Sequence, residues 1–126
     1  MAKILLVDDD PDLVEDCRLI LEKAGHQVVA AYNAREGKAA LVQEKPDLMI
    51  LDVMMESPDD GIALAQEVRR EGFRLPILML TSISKVTGMT YGRDHEMVPV
   101  DAFQEKPVAP KRLMALVEEL LAKKGG

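Results

Sequence analysis

Apolar residues recur along the chain in two alternating rhythms. Short runs rich in branched side chains, such as Ile4-Leu5-Leu6-Val7 and Leu48-Met49-Ile50-Leu51, are separated by longer stretches in which apolar positions fall three or four apart. That alternation predicts strands interleaved with helices around a parallel sheet, an α/β fold. The strands are expected at Lys3–Val7, Gln27–Ala31, Leu48–Leu51, Pro76–Leu80 and, more weakly, Ala102–Glu105. Leu48 to Leu51 is apolar throughout, as a central strand covered on both faces requires.

The first helix is predicted from Pro11 to Ala24, with Asp10 as cap, Pro11 at the first helical position and Gly25 at the stop. Its apolar face reads Leu13, Cys17, Ile20, Leu21 and Ala24. Asn33 caps a second helix running to about Gln43 that turns Gly37, Ala40 and Leu41 inward, and Pro46 closes the connection. A turn-rich stretch from Glu56 to Gly61 precedes a helix to about Glu71, with Ile62, Ala65 and Val68 on one side and Gly72 as stop. The last helix, Pro110 to about Ala122, carries Leu113, Leu116, Val117, Leu120 and Leu121 in a core-facing stripe. Between Ser84 and Val100, Gly88, Gly92 and Pro99 interrupt any apolar stripe, so this segment is expected to hold a short or displaced helix with a long mobile loop.

Composition narrows the class without changing this picture. A chain of 126 residues suits one domain, expected to span 1–126 with 123–126 as a flexible tail, and 48% hydrophobic with 30% charged residues matches an ordinary soluble protein. No apolar run approaches the roughly 20 residues that span a bilayer, and Met1-Ala2-Lys3 leads straight into the first strand rather than a signal peptide. A cytoplasmic location and no membrane partner are therefore expected. Cys17 is the single cysteine, so an internal disulfide is excluded, and its helical spacing suggests a buried thiol. A net charge of -6 opposes direct binding to nucleic acid.

The polar residues with chemical potential fall at the carboxyl ends of the strands, where open α/β sheets bind ligands. Asp8 and Asp9 follow the first strand, Asp52 the third, Thr81 the fourth and Lys106 the fifth. Carboxylates about 4 Å apart repel by roughly 4 kcal/mol at an effective dielectric near 20, so three together call for a divalent cation. Oxygen-only ligands with room for water favour Mg²⁺. An Asp nucleophile, a metal, a hydroxyl and an ammonium together suit phosphoryl transfer.

Val7-Asp8-Asp9, Leu51-Asp52-Val53-Met54-Met55, Thr81-Ser82 and Lys106-Pro107 together resemble the response-regulator receiver family over almost the whole chain. The resemblance implies a doubly wound five-stranded sheet in flavodoxin-like order 2-1-3-4-5 with helices on both faces. It implies that Asp52 is the phosphoacceptor, that Asp9, Asp52 and the Met54 backbone carbonyl bind Mg²⁺ (or Mn²⁺) directly, and that Asp8 acts through a metal-bound water. Thr81 and Lys106 would bind phosphoryl oxygens, Phe103 would change rotamer with Thr81, and the Lys106-Pro107 peptide would be cis. A histidine kinase, a phosphotransfer protein or a small phosphodonor would load Asp52 of a monomer or weak dimer. The downstream partner is not named by the sequence, and the protein would be a signalling phosphoacceptor rather than an enzyme.

Taken singly, each residue has a plainer explanation. Asp8 to Asp10 suit a turn and a helix cap, Asp52 and Thr81 suit strand ends, Lys106 suits a surface and Phe103 a core. Their joint placement at the strand ends favours function, while Asp10 stays a cap. The chain also departs from the family pattern. The loop between Asp52 and Gly61 is one residue longer and lacks the usual proline after the Met pair, and the positions that tune water attack in the family, two after Asp52 and two after Thr81, are Met54 and Ile83. Neither side chain can orient a water by hydrogen bonding, so slow self-dephosphorylation is expected. Two rivals remain: an interaction module that keeps the fold without phosphorylation, and an aspartate-nucleophile phosphohydrolase built on Asp8-Asp9-Asp10, which would leave Asp52 without a role.

Overall fold

The computed structural model describes residues 2–52, 60–81, 100–105 and 108–125. Five strands, β1 (Lys3–Val7), β2 (Gln27–Ala31), β3 (Leu48–Asp52), β4 (Ile77–Thr81) and β5 (Ala102–Glu105), form one parallel sheet in the order β2-β1-β3-β4-β5. Four helices are described: α1 (Pro11–Lys23), α2 (Ala34–Glu44), α3 (Asp60–Arg70) and α4 (Pro110–Gly125). None of them is long and apolar enough to cross a membrane. The segment expected to hold a short or displaced fourth helix, Ser84 to Val100, lies outside the described residues except for its last position.

Successive side chains of a strand point to opposite faces, and the core divides accordingly. Leu5, Val7, Met49, Leu51, Ile77 and Met79 pack with Leu41 of α2 and Leu64, Ala65 and Val68 of α3. Their neighbours Ile4, Leu6, Leu48, Ile50, Leu78 and Leu80 pack on the other face with Val14, Cys17 and Leu21 of α1 and Leu113, Leu116, Val117 and Leu120 of α4. The two helix pairs therefore sandwich the sheet. Every residue of β3 is buried, as its unbroken apolar run requires.

Local signals set most boundaries. The Asp10 carboxylate accepts hydrogen bonds from the Asp12 and Leu13 amides, and Pro11 opens α1. Gly25, at φ +96°, takes the left-handed conformation that lets the chain leave α1 for β2. Asn33 accepts from the Glu36 amide, while the Glu36 carboxylate reaches back to the Tyr32 amide, so one donor in the first turn of α2 and one ahead of it are satisfied. The α1 face differs from expectation in one respect: Val14 is in the core, Leu13 is only half-buried and Ala24 is an exposed C-cap. The helix turns its i, i+3, i+7 row (Val14, Cys17, Leu21) squarely inward, and Leu13 sits at the edge of that stripe. α4 continues to Gly125, into residues expected as a tail.

Candidate functional site

Strand order reverses at β1: β2 lies on one side and β3 on the other, so their connections diverge and leave a crevice at the carboxyl ends. Asp8 leaves β1 there. Its amide donates to the Ala31 carbonyl at the end of β2 (3.1 Å), and its Oδ1 accepts from the Asp10 amide (3.0 Å). The run Asp8-Asp9-Asp10 thus divides its labour: Asp8 is 1% exposed, Asp9 is exposed, and Asp10 caps α1 while its backbone holds Asp8. The last residue of β3, Asp52, is 4% exposed and stands in register with Leu80 of β4.

One carboxylate oxygen each from Asp8, Asp9 and Asp52 lies within 4.8 Å of the others. Unit charges at that spacing repel by about 3.5 kcal/mol per pair at an effective dielectric near 20. Two of the three carboxylates are also withdrawn from water, which strengthens the repulsion between them and the pull on a cation. The donor set is all oxygen and anionic, which fits a hard divalent cation and not a soft one.

Close packing brings the end of β1 to this position. Gly37 of α2 lies against Val7, the residue before Asp8: a Cβ there would sit 3.0 Å from both Val7 methyls and 3.3 Å from Leu64 Cδ2. The absent side chain lets α2 approach β1 and α3 together. α2 and α3 are further joined by Lys38, whose ammonium pairs with Glu67 (3.0 Å) and Glu71. The hydrogen bonds to Glu71 and then Glu67 raise the Lys38 pKa above its ordinary value.

Of the remaining expected residues, Thr81 is the final residue of β4, in register with Glu105 of β5. Phe103 sits opposite Met79, half-buried against the α2 and α3 side of the core. Lys106, Met54 and Pro107, and with them the Lys106-Pro107 peptide, lie outside the described residues. Two residues without a sequence signal stand out. Arg69 of α3 reaches Asp101, the residue before β5, and nothing in periodicity pairs positions 32 apart.

The response-regulator receiver-domain family model matches residues 4–118. The chain belongs to this family. It is 36% identical over 123 residues to the alkaline phosphatase synthesis transcriptional regulatory protein PhoP of Bacillus subtilis, covering 94% of this chain and 48% of that protein. It is 33% identical over 124 residues to the phosphate regulon transcriptional regulatory protein PhoB of Pseudomonas aeruginosa, covering 97% of this chain and 52% of that one. The receiver thus spans about half the length of these curated relatives. Among solved structures, a response regulator of Chloroflexus aurantiacus superposes with a TM-score of 0.83 at 31% identity, covering 96% of this chain and 98% of that one. NtrX of Brucella abortus superposes with a TM-score of 0.84 at 28% identity, covering 98% of this chain but 27% of that one. The expected receiver fold and sheet order are those observed.

Proposed function

We propose that this receiver accepts a phosphoryl group on Asp52 in a Mg²⁺-dependent reaction and thereby changes its affinity for a partner protein. The observation that carries the reading is the meeting of Asp8, Asp9 and buried Asp52 within 4.8 Å at the reversal point of the sheet. A histidine kinase, a phosphotransfer protein or a small phosphodonor supplies the group, as family membership implies.

An Asp52 carboxylate oxygen attacks the donor phosphorus, a new O–P bond forms, and the bond from phosphorus to the donor's leaving atom breaks with its electrons departing on that atom. Asp9, Asp52 and the Met54 carbonyl would hold Mg²⁺, with Asp8 reaching it through water; bound there, the ion neutralises charge that builds on the phosphoryl oxygens. Asp8 is restrained for this task by the Asp10 amide. Thr81, at the end of β4, and Lys106, next in sequence after β5, take the remaining phosphoryl oxygens. Phosphorylation adds up to about two negative charges, and drawing Thr81 and Lys106 toward them, with Phe103 following Thr81, selects one of two pre-existing conformations.

Intact mass after incubation with acetyl phosphate or phosphoramidate tests this. A single phosphoryl adduct is expected in wild type with Mg²⁺, and none with chelator or in Asp52→Asn. Absence of an adduct under conditions that label a receiver of proven activity would leave an interaction module that keeps the fold alone.

A further inference from the structure

At the edge of the sheet opposite the acidic crevice, one carboxylate gathers three elements. Asp101 stands immediately before β5. Its amide donates to the Ile77 carbonyl (2.9 Å), and its Oδ2 accepts from the Ile77 amide (2.8 Å) and from Arg69 Nη2 (2.9 Å). Arg69 Nη1 donates in turn to the carbonyls of Phe73 (3.0 Å) and Leu75 (2.8 Å). One guanidinium therefore spans the turn from α3 into β4 and ties it to the start of β5.

β5 has need of such a tie. It is four residues long and, among the described residues, pairs only with β4 at one edge of the sheet. Its inward side chains offer little to set register: Ala102 meets the α1 and α4 side with a single methyl, leaving Phe103 as the large apolar anchor on the other face. A slip of one residue would send Phe103 to the wrong face and move Glu105 away from Thr81. A lysine in place of Arg69 could not present the planar fork that meets two carbonyls and a carboxylate at once.

We infer that Arg69 and Asp101 are a positioning pair that sets the register of β5 and, through it, the placement of Phe103 and the pairing of Glu105 with Thr81 beside the phosphoryl site. The coupling to phosphoryl binding rests on the phosphoacceptor reading above; the register role does not. The Mg²⁺ carboxylates follow β1 and end β3, whereas the residues steered by the pair belong to β5, so the two kinds of binding separate in a test.

The test uses Asp101→Asn, which keeps the size and one acceptor for Ile77, together with Arg69→Met, Arg69→Lys and the Arg69→Met/Asp101→Asn double variant. Amide hydrogen exchange reads β5 against β1, and titrations read Mg²⁺ alone and then beryllofluoride, a phosphoryl mimic, at saturating Mg²⁺. Each single variant should speed β5 exchange about tenfold, leave β1 exchange and Mg²⁺ affinity within twofold, and weaken beryllofluoride about three- to tenfold. The double variant should add little, because both changes break one shared interaction. Unchanged β5 exchange overturns the register role. A parallel fall of Mg²⁺ and beryllofluoride affinity overturns the positioning role and marks a general loss of stability instead. If wild type does not take up beryllofluoride, the phosphoacceptor reading and the coupling fall together, and the exchange result still decides the register.

Discussion

Replacing Asp52 by asparagine should make the metal-free protein more stable, although it removes the proposed phosphoacceptor. The carboxylate oxygens of Asp8, Asp9 and Asp52 approach within 4.8 Å, where each pair of charges costs about 3.5 kcal/mol at an effective dielectric near 20. The substitution deletes two of the three repulsive pairs and keeps the side chain's shape. Asp9 is exposed, so solvent and salt screen its share, and the amide gives back part of the gain by losing an anionic acceptor. A net stabilisation of about 2 kcal/mol is expected, or about 6–10 °C in Tm for a domain of this size. The assay is urea denaturation in chelator at neutral pH and moderate salt, repeated across a Mg²⁺ titration. Wild type should gain stability with Mg²⁺ as RT ln(1 + [Mg²⁺]/Kd), while the variant, short of one ligand, gains less and the curves converge. A metal-free Asp52→Asn protein no more stable than wild type, or equal Mg²⁺ stabilisation of both, would refute the claim that the three charges confront one another.

Four further outcomes follow from the same structure. Gly37→Ala should destabilise by about 1–3 kcal/mol in urea unfolding, because the new methyl lies 3.0 Å from both Val7 methyls and the overpacking exceeds the helix-propensity gain of about 1 kcal/mol. Asp10→Ala should cost about 1 kcal/mol through the lost α1 cap and also weaken Mg²⁺ binding through the loosened Asp8, whereas Asp10→Asn, which can still cap, should retain both within error by calorimetry. The raised Lys38 pKa means that its ties to Glu71 and Glu67 are fully present below the unfolded value of 10.5 and lost as pH rises through the folded value. The stability difference between wild type and Lys38→Met should accordingly stay flat from neutral pH to about 10.5 and shrink above it. Met54→Asn with Ile83→Glu should shorten the lifetime of the phosphorylated protein, read by loss of the adduct over time, since both replacements can orient a water that the native side chains cannot.

Much of this molecule is local in origin. The run from Ile4 to Val7, the Asp10-Pro11 start, the Gly25 stop, the Asn33 cap and the continuous apolar β3 each carry their instruction within a few residues, so strands and helices were legible with errors of one to three residues at their ends, the largest at the end of α4. The strand ends likewise told which polar residues could meet, because a parallel sheet sends all its carboxyl ends to one rim. The faces of α1 were less certain: Leu13 and Val14 are adjacent and both apolar, and only packing against Ile4, Leu6, Leu48 and Ile50 selects Val14.

By itself, then, the sequence determined the element order, the caps and the set of candidate site residues, since propensity, periodicity and turn chemistry act between near neighbours. Tertiary structure alone decided which member of Asp8-Asp9-Asp10 is buried, that Gly37 must lack a side chain to admit Val7, and that Arg69 joins Asp101 across the α3–β4 corner. Those outcomes depend on contacts between residues far apart in the chain, whose distances exist only once the sheet has closed and its two helix layers have packed.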